Sequence, residues 1–224
     1  MANRRNYWEI PELWRGRTVA LLGGGPSLTQ AQVDLLRGRC GVIAINNAYE
    51  LAPWADLLYF CDEKWWRWHH EKPGYKAFAG IKVTLENPKV IAAEPAVKSV
   101  QNLGRNGLCE FRHGLHTGKN GGYQAIDLAV HLGAKRILLL GYDMRPAEDG
   151  RLQWHKGHPI KGNPRQYEEH MLPMFPSLVQ PLAKRGVEVL NCTPKSALKV
   201  FPMVALEVAL GIEAPQQLAM ETAA

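Results

Sequence analysis

The chain has few cysteines and no long apolar run. Its four cysteines lie far apart among 224 residues and form no CxxC pair, which argues against a zinc knuckle or a thioredoxin-like motif and is typical of reduced thiols. No stretch near the N-terminus is apolar enough for a signal peptide. The most apolar later stretch, VFPMVALEVALGI, contains Glu207 and is too short to span a bilayer. We therefore expect a soluble cytoplasmic protein without a transmembrane segment.

Internal repeats, low-complexity tracts and linkers rich in Ser or Gly are also missing. The composition, 46% hydrophobic and 21% charged, excludes a disordered chain, a collagen-like chain and a coiled coil. A chain of 224 residues is long enough to build a hydrophobic core of its own. We predict an N-terminal arm over residues 1–16, a single domain over 17–212 and a frayed tail over 213–224.

Positive charge is in moderate excess. The 27 Lys and Arg residues outnumber the 21 Asp and Glu residues, which gives a net charge of +6. Such an excess attracts phosphate-bearing partners, including nucleotides and nucleic acids. The basic residues are scattered, so we interpret most of them as a solvated surface and do not expect nucleic acid to be the main partner. A homo-oligomer stays open.

Short aliphatic runs alternate with longer amphipathic segments, a rhythm typical of a parallel sheet covered by helices. We predict an α/β fold, a Rossmann-like, mostly parallel sheet with helices on both faces. Its buried strands are predicted over residues 18–22, 42–45, 57–61, 81–85, 137–140 and 187–190.

The same patterns predict the helices and the long loops. Helices are expected over residues 123–132, over 166–184 with breaks at its prolines, and from about Pro202 onward. The segments 86–118 and 145–165 are rich in Gly, Pro, Asn and His. Loops of this length in a compact domain usually bind or cover a ligand.

The strongest local motif is TVALLGGGPSLTQAQ, in which a strand runs into three glycines. Gly23, Gly24 and Gly25 allow a sharp turn, and the N–H groups up to Ser27 and the following helix end would face an anion such as a phosphate. The dinucleotide fingerprint requires glycine where Leu28 stands. A tight turn without ligand is the alternative.

Polar side chains follow the next two strands. Asn46 and Asn47 come directly after GVIAI and offer donors and acceptors to a base or a ribose; a simple turn is the alternative. Asp62 follows the third strand and could hold a ribose hydroxyl or Mg²⁺, or act as a helix N-cap. Trp65 and Trp68 then follow, either as a stacking surface or as core.

A second candidate phosphate site lies in TGKNGGYQAIDLAVHLG. Thr117 or Asn120 can cap a helix whose N-terminus, with Gly118 nearby, favours a phosphate. Asp143 follows the next strand, and we expect its carboxylate in the same crevice as Asp62.

The loop WHKGHP contains the candidate base. A histidine such as His158, with a pKa near neutral on a loop, can take a proton from a hydroxyl nucleophile. His155 and His158 could instead bind a metal, but Gly157 and Pro159 disfavour the helix that would pair them. The third alternative is that this segment is a surface loop whose histidines have no functional role.

The ordered motifs GGGPSL, AINNAY, YFCDE, TGKNGGYQAIDLAVHLGAKRILLLGYDM, HKGH and NCTPKSAL resemble two enzyme groups. One is glycosyltransferase family 42, the bacterial lipooligosaccharide sialyltransferases. The other is the 6-hydroxymethylpterin diphosphokinase MptE-like family. The resemblance spans about residues 18–202, and phage and prophage genes encode similar short proteins.

The sialyltransferase resemblance implies a transferase that moves a sugar from a nucleotide-sugar donor, of unspecified nucleobase, to a hydroxyl acceptor without a metal. Residues 23–27 and Asn46 would contact the nucleotide. Thr117 and Gly118 would meet its phosphate, and His158 would deprotonate the acceptor. Arg145, near the position of a tyrosine in that family, would neutralise the leaving phosphate.

That family has asparagines at the positions of Gly24 and Asp62. The diphosphokinase resemblance implies instead that Asp62 and Asp143 hold Mg²⁺ for pyrophosphoryl transfer from ATP. A nucleotide-binding phage accessory protein without catalytic activity is a further alternative. Glycosyl transfer, with His158, Arg145 and Asp143 as catalytic residues, is the leading expectation.

Overall fold

The computed structural model describes residues 7–156 and 162–212. Over these residues the chain forms one parallel sheet in the order β6-β5-β4-β3-β2-β1-β7-β8. The strands are β1 (Thr18–Leu22), β2 (Gly41–Ile45), β3 (Leu57–Phe60), β4 (Ile81–Leu85), β5 (Lys98–Gly104), β6 (Gly114–His116), β7 (Arg136–Leu140) and β8 (Glu188–Asn191).

Helices and short turns connect these strands. The helices are α1 (Gln30–Asp34), α2 (Glu63–His69), α3 (Pro73–Ala77), α4 (Pro88–Ala93), α5 (Gly121–His131), α6 (Pro176–Lys184) and α7 (Leu206–Ala209). Residues Asn46–Glu50 and Leu172–Met174 form 3₁₀ turns, and Tyr167–Met171 forms a π turn. The helix predicted over residues 166–184 is thus divided into three short elements, and Pro173 and Pro176 lie at the starts of the second and third.

Helices cover both faces of the sheet, as the sequence predicts. Successive residues of β1 point to opposite sides. Val19 and Leu21 pack in a core with α5 and α6, whereas Ala20 and Leu22 pack in a second core with α1 to α4 and α7. The central strands β1, β2 and β7 are mostly apolar because both faces of the sheet are covered there. The predicted fold class is therefore confirmed.

The prediction of a long loop over residues 86–118 is wrong. This segment contains α4, β5 and β6, which extend the sheet at one edge. In β5 only Val100 is fully buried and its neighbours are polar, so the strand lacks the aliphatic run that identified the other six.

The segment predicted as an N-terminal arm packs against the domain where it is described. Ile10 and Trp14 are buried in the core with α5, and the N–H of Trp8 donates to the carbonyl of Ser99 in β5. The predicted tail over 213–224 lies outside the described residues. Across the described ranges, no helix has the length and apolar character needed to cross a membrane.

Candidate functional site

The strand order reverses between β1 and β7. The chain proceeds from β1 through β2 to β6 on one side, and β7 and β8 lie on the other. In open parallel sheets, ligands bind in the crevice beyond the carboxyl ends of the strands at such a switch point. The segments that follow β1, β2 and β7 therefore form the candidate site.

The glycine turn after β1 is held by hydrogen bonds within the protein. The N–H of Gly23 donates to Leu140 O at 2.8 Å, and the N–H of Gly25 donates to Gly141 O at 2.8 Å. A Cβ on Gly23 would lie 2.6 Å from Gly141 O, so a side chain there would push the turn away from β7. The glycines therefore serve the close approach of two chain segments.

Ser27 completes this attachment. Its N–H donates to Asp143 Oδ1 at 3.2 Å, and its hydroxyl donates to Asp143 Oδ2 at 2.9 Å. The prediction that the turn leaves its N–H groups unpaired is thus wrong for Gly23, Gly25 and Ser27. Only the N–H of Gly24 lacks a partner among the described residues, and the space around its Cβ position is open.

The helix that follows the glycine turn offers no anion site of its own. Thr29 and Gln32 form a capping box at its start, in which the N–H of Gln32 donates to the Thr29 hydroxyl and the N–H of Thr29 donates to Gln32 Oε1. The helix α1 has five residues, too few for a substantial dipole.

The N-terminus of α5 does present unpaired N–H groups. Asn120 caps the helix by accepting from the N–H of Tyr123 at 2.8 Å. The N–H groups of Gly121 and Gly122 have no partner among residues 7–156 and 162–212. The eleven residues of α5 add their dipole to these two donors, which together attract an anion.

The side chain of Tyr142 contacts the N-terminal end of α5. Its hydroxyl donates to Gly122 O at 3.1 Å, and burial raises its pKa, so it stays protonated. A Cβ on Gly122 would lie 2.8 Å from the Tyr142 ring. The α5 N-terminus is consequently seated directly on the loop that follows β7.

The glycine turn and the α5 N-terminus face each other across a cavity of about 180 Å³, here called the crevice cavity. Asn46 and Gln153 also line it. Their side-chain oxygens, Asn46 Oδ1 and Gln153 Oε1, are buried and accept no hydrogen bond from the described residues. Burying a polar atom without a partner costs about 1–3 kcal/mol, and a hydrogen bond from an N–H or O–H group of a ligand would offset that cost.

Asn46 is also held in a left-handed backbone conformation, with φ of 51°. Asparagine tolerates this region better than most residues, and such strain tends to occur at functional sites. The position places its amide between the crevice cavity and a second cavity of about 680 Å³, here called the indole cavity. The indole cavity is lined by Asn46, Asp62, Glu63, Lys64, Trp65, Arg67, Trp68 and Lys89.

A third cavity, of about 440 Å³, lies on the other side of the glycine turn. It contains Ser27, Asp143 and Arg145. Asp62 and Asp143 thus line different cavities, and the prediction that they share one crevice is wrong. The physical reason is their separation by β2 and β1, which lie between β3 and β7.

Three predicted ligand residues, whose binding roles stay predictions, make close contacts within the protein. Asn47 is buried and its Oδ1 accepts from the Trp65 indole at 2.8 Å. Gly118 has φ of 46°, and a Cβ there would overlap the Tyr123 ring. The carbonyl of Thr117 accepts from the side chain of Gln124 at 2.9 Å. His158 lies outside the described residues.

Comparisons with protein-family models, with curated proteins and with solved structures found no match. The function is therefore inferred from the geometry of the chain itself. Over the described ranges, His, Cys, Asp and Glu side chains form no group of three that could hold a metal ion.

Sequence reasoning missed Gln153 and its neighbours. Residues 145–156 form no helix or strand, yet the N–H of Trp154 donates to Gly24 O at 3.1 Å. The hydroxyl of Tyr167 donates to Leu152 O at 3.1 Å. These bonds hold residues 152–154 beside the glycine turn. The predicted ligand-binding role of the 145–165 loop was the only signal for them.

Proposed function

We propose that this chain is a transferase that binds a nucleotide-activated donor in the crevice cavity and passes its activated group, a sugar, to a hydroxyl acceptor. The carrying observation is the α5 N-terminus, where the N–H groups of Gly121 and Gly122 face the switch point of the sheet without partners among the described residues. Two unpaired N–H groups at a helix N-terminus suit a phosphate.

The donor phosphate is assigned to α5 rather than to the glycine turn. The N–H groups of Gly25 and Ser27 already donate to Gly141 O and to Asp143. They therefore shape the wall of the cavity but are not available to a phosphate. Arg145 lines the cavity across the turn. We therefore assign stabilisation of the leaving phosphate to the N-terminus of α5, whereas the family resemblance assigned it to Arg145.

The two unpaired amide oxygens would orient the rest of the donor. Asn46 Oδ1 and Gln153 Oε1 accept hydrogen bonds only, and ribose or sugar hydroxyls supply the donors. The role of removing the proton from the acceptor hydroxyl is assigned to His158 on the basis of the family resemblance.

Glycosyl transfer fits this geometry better than Mg²⁺-dependent pyrophosphoryl transfer. Neighbouring strands lie about 4.8 Å apart, and three such spacings separate the ends of β3 and β7. Asp62 and Asp143 thus follow strand ends that are roughly 14 Å apart and line different cavities, which disfavours a shared Mg²⁺ ion at about 2.1 Å from each oxygen. Asp143 is also engaged by Ser27.

A thermal-shift panel tests the proposal. Cytidine, uridine, guanosine and adenosine diphosphates and ATP are each added with and without Mg²⁺, and consumption of any donor that binds is then measured. A ligand at a hundred times its dissociation constant stabilises the fold by about 2.7 kcal/mol. We expect a nucleotide to stabilise the chain without metal. A strict requirement for ATP with Mg²⁺ would favour the diphosphokinase, and a donor that binds but is never consumed would make the chain a binding module.

A further inference from the structure

We propose that the indole cavity binds the base of the donor and that the carboxylate of Asp62 makes this cavity selective for guanine. This inference rests on the proposed function, because it extends the donor from the crevice cavity into the space next to it. The crevice cavity, at about 180 Å³, is smaller than the ~300–1,000 Å³ of usual ligand sites. A whole nucleotide-sugar therefore needs additional room.

Asn46 supplies the connection between the two cavities. It lines both, and it follows β2, the strand next to β1. Asp62 follows β3, which is two strand spacings, about 10 Å, from β1. A donor whose phosphate sits at the switch point would place its ribose at Asn46 and its base beside Asp62.

The carboxylate of Asp62 is available to a ligand. The neighbouring Glu63 is paired with Arg67 at 2.6 Å and with Lys89 at 3.1 Å. Asp62 makes no ion pair among the described residues, and although it is the N-cap residue of α2, its side chain accepts no capping hydrogen bond. Two described side chains interact with it, the hydroxyl group of Tyr59 at a distance and the thiol of Cys61 through a hydrogen bond, and a thiol is a weak donor.

A free carboxylate distinguishes guanine from the other bases by its geometry. Its two oxygens can accept two parallel hydrogen bonds, as they do from arginine. Guanine presents a ring N–H beside an exocyclic NH₂ group, so one carboxylate engages both. Cytosine and adenine place an acceptor nitrogen beside their NH₂ group, and uracil has carbonyls on both sides of its N–H. These acceptors repel the second carboxylate oxygen.

The remaining walls suit a flat heterocycle. Trp68 is partly buried and lines the cavity, and indole rings stack on bases. Trp65 is fixed by its stack on His69, with ring centroids 4.3 Å apart, and by its bond to Asn47. That wall is consequently rigid before a ligand enters.

Isothermal titration of the full chain with nucleoside diphosphates tests this inference. The probes are guanosine diphosphate, cytidine diphosphate, xanthosine diphosphate and inosine diphosphate, which lacks the exocyclic NH₂; free 6-hydroxymethylpterin is titrated as well. The variants are Asp62→Asn and, as a matched control, Glu63→Gln, which removes a negative charge from the same cavity. Circular dichroism melts of both variants establish that they are folded.

We expect the unaltered chain to bind guanosine diphosphate about tenfold or more tightly than inosine or cytidine diphosphate. Glu63→Gln should keep that ratio. Asp62→Asn should abolish it and instead improve binding of xanthosine diphosphate, whose carbonyl can accept from the new amide. Such a gain cannot come from a misfolded variant.

Equal affinity for guanosine and inosine diphosphates, or a preference unaltered by Asp62→Asn, would overturn the base assignment and leave nucleotide binding intact. Binding of no nucleotide at all would overturn the proposed function itself. Free 6-hydroxymethylpterin has the same N–H and NH₂ edge. If it bound and guanosine diphosphate did not, the cavity would belong to an acceptor and the guanine assignment would be wrong.

Discussion

Ser27 gives both of its donors, the backbone N–H and the hydroxyl, to the carboxylate of Asp143. This pair ties the turn after β1 to the loop after β7, on the two sides of the switch point. Asp143 is 7% exposed. Burial raises its pKa, and the hydrogen bonds from Ser27 oppose that rise. Asp143 thus has a structural partner for each carboxylate oxygen.

Ser27→Ala should destabilise the fold more at neutral pH than at pH 4. Losing the hydroxyl raises the pKa of Asp143 further. A carboxyl group with a raised pKa in the folded chain adds stability below its unfolded value, near 3.9, and that contribution is lost as the pH rises. A hydrogen bond to a charged group is worth about 1.5–3 kcal/mol. Urea unfolding at pH 4 and pH 7 measures the difference.

Ser177→Ala is the matched control, because its hydroxyl bonds to Tyr123 and to the carbonyl of Met174 and not to a carboxylate. Its loss of stability should be nearly the same at both pH values. If Ser27→Ala also lost the same amount of stability at both pH values, the hydroxyl of Ser27 would not be stabilising the ionised form of Asp143.

The buried pair Asp127 and His131 on α5 should produce opposite pH effects. Burial raises the pKa of Asp127 to about 7 and lowers the pKa of His131 to about 4. As the pH falls from 7 to 4, the folded chain gains stability from Asp127. As it falls from about 6.5 to 4, the folded chain loses stability from His131. The two effects offset each other in the unaltered protein.

Single variants separate these contributions. Relative to the unaltered chain, Asp127→Asn should lose stability as the pH is lowered from 7 to 4.5, and His131→Gln should gain stability over the same range. Urea unfolding at three pH values gives both slopes. Slopes of the same sign in the two variants would contradict the assignment of the two pKa values.

Gly121→Pro should remove one phosphate donor without harming the helix. Proline is favoured at the first helical position, and Asn120 already has the extended backbone that precedes proline, with ψ of 152°. A Cβ at Gly121 meets only Ile45, at 3.5 Å. We expect an unchanged or higher melting temperature and nucleotide affinity lowered about tenfold.

Gly121→Ala serves as the control, because it adds a similar Cβ and keeps the N–H. Nucleotide titration of both variants is the measurement. Equal affinities for the proline and alanine variants would remove the α5 N-terminus from the site.

Asn46→Gly should separate stability from binding. Glycine adopts a φ of 51° without strain, and the change removes a buried oxygen that has no partner among the described residues. The melting temperature should stay level or rise, while nucleotide affinity falls. A large loss of stability would indicate that Asn46 has a structural role.

His158→Ala should leave donor binding intact and lower turnover by roughly 10²-fold or more, as the loss of a general base does. Donor titration and acceptor turnover measure the two effects. His170→Ala, in the π turn, is a control that keeps the proposed base. Unchanged turnover in His158→Ala would exclude that histidine as the base.

Hydrophobic pattern was enough to predict six of the eight described strands, because each contains a run rich in aliphatic or β-branched residues, and most of these residues are buried. The strands β5 and β6, at one end of the sheet, were not predicted, since β5 is mostly polar and β6 has three residues. The local sequence of a polar segment does not show whether the segment will pair with another strand.

The candidate site was predicted only in part for a similar reason. Three consecutive glycines indicate close approach, but not what approaches: here it is the carbonyl of Gly141 and the carboxylate of Asp143. The unpaired N–H groups at Gly121 follow from the helix start, which the sequence did indicate. Gln153 could not be found, because its place beside Gly24 depends on a loop contact remote in sequence.

The attachment of the glycine turn to β7 also bears on how fast a ligand is captured. Since the chain itself completes these bonds, the glycine turn needs no ordering step before a ligand binds beside it. Association should then proceed at a rate set by diffusion and orientation, about 10⁵–10⁷ M⁻¹s⁻¹ or faster, and differences between nucleotides should emerge in how long each one stays.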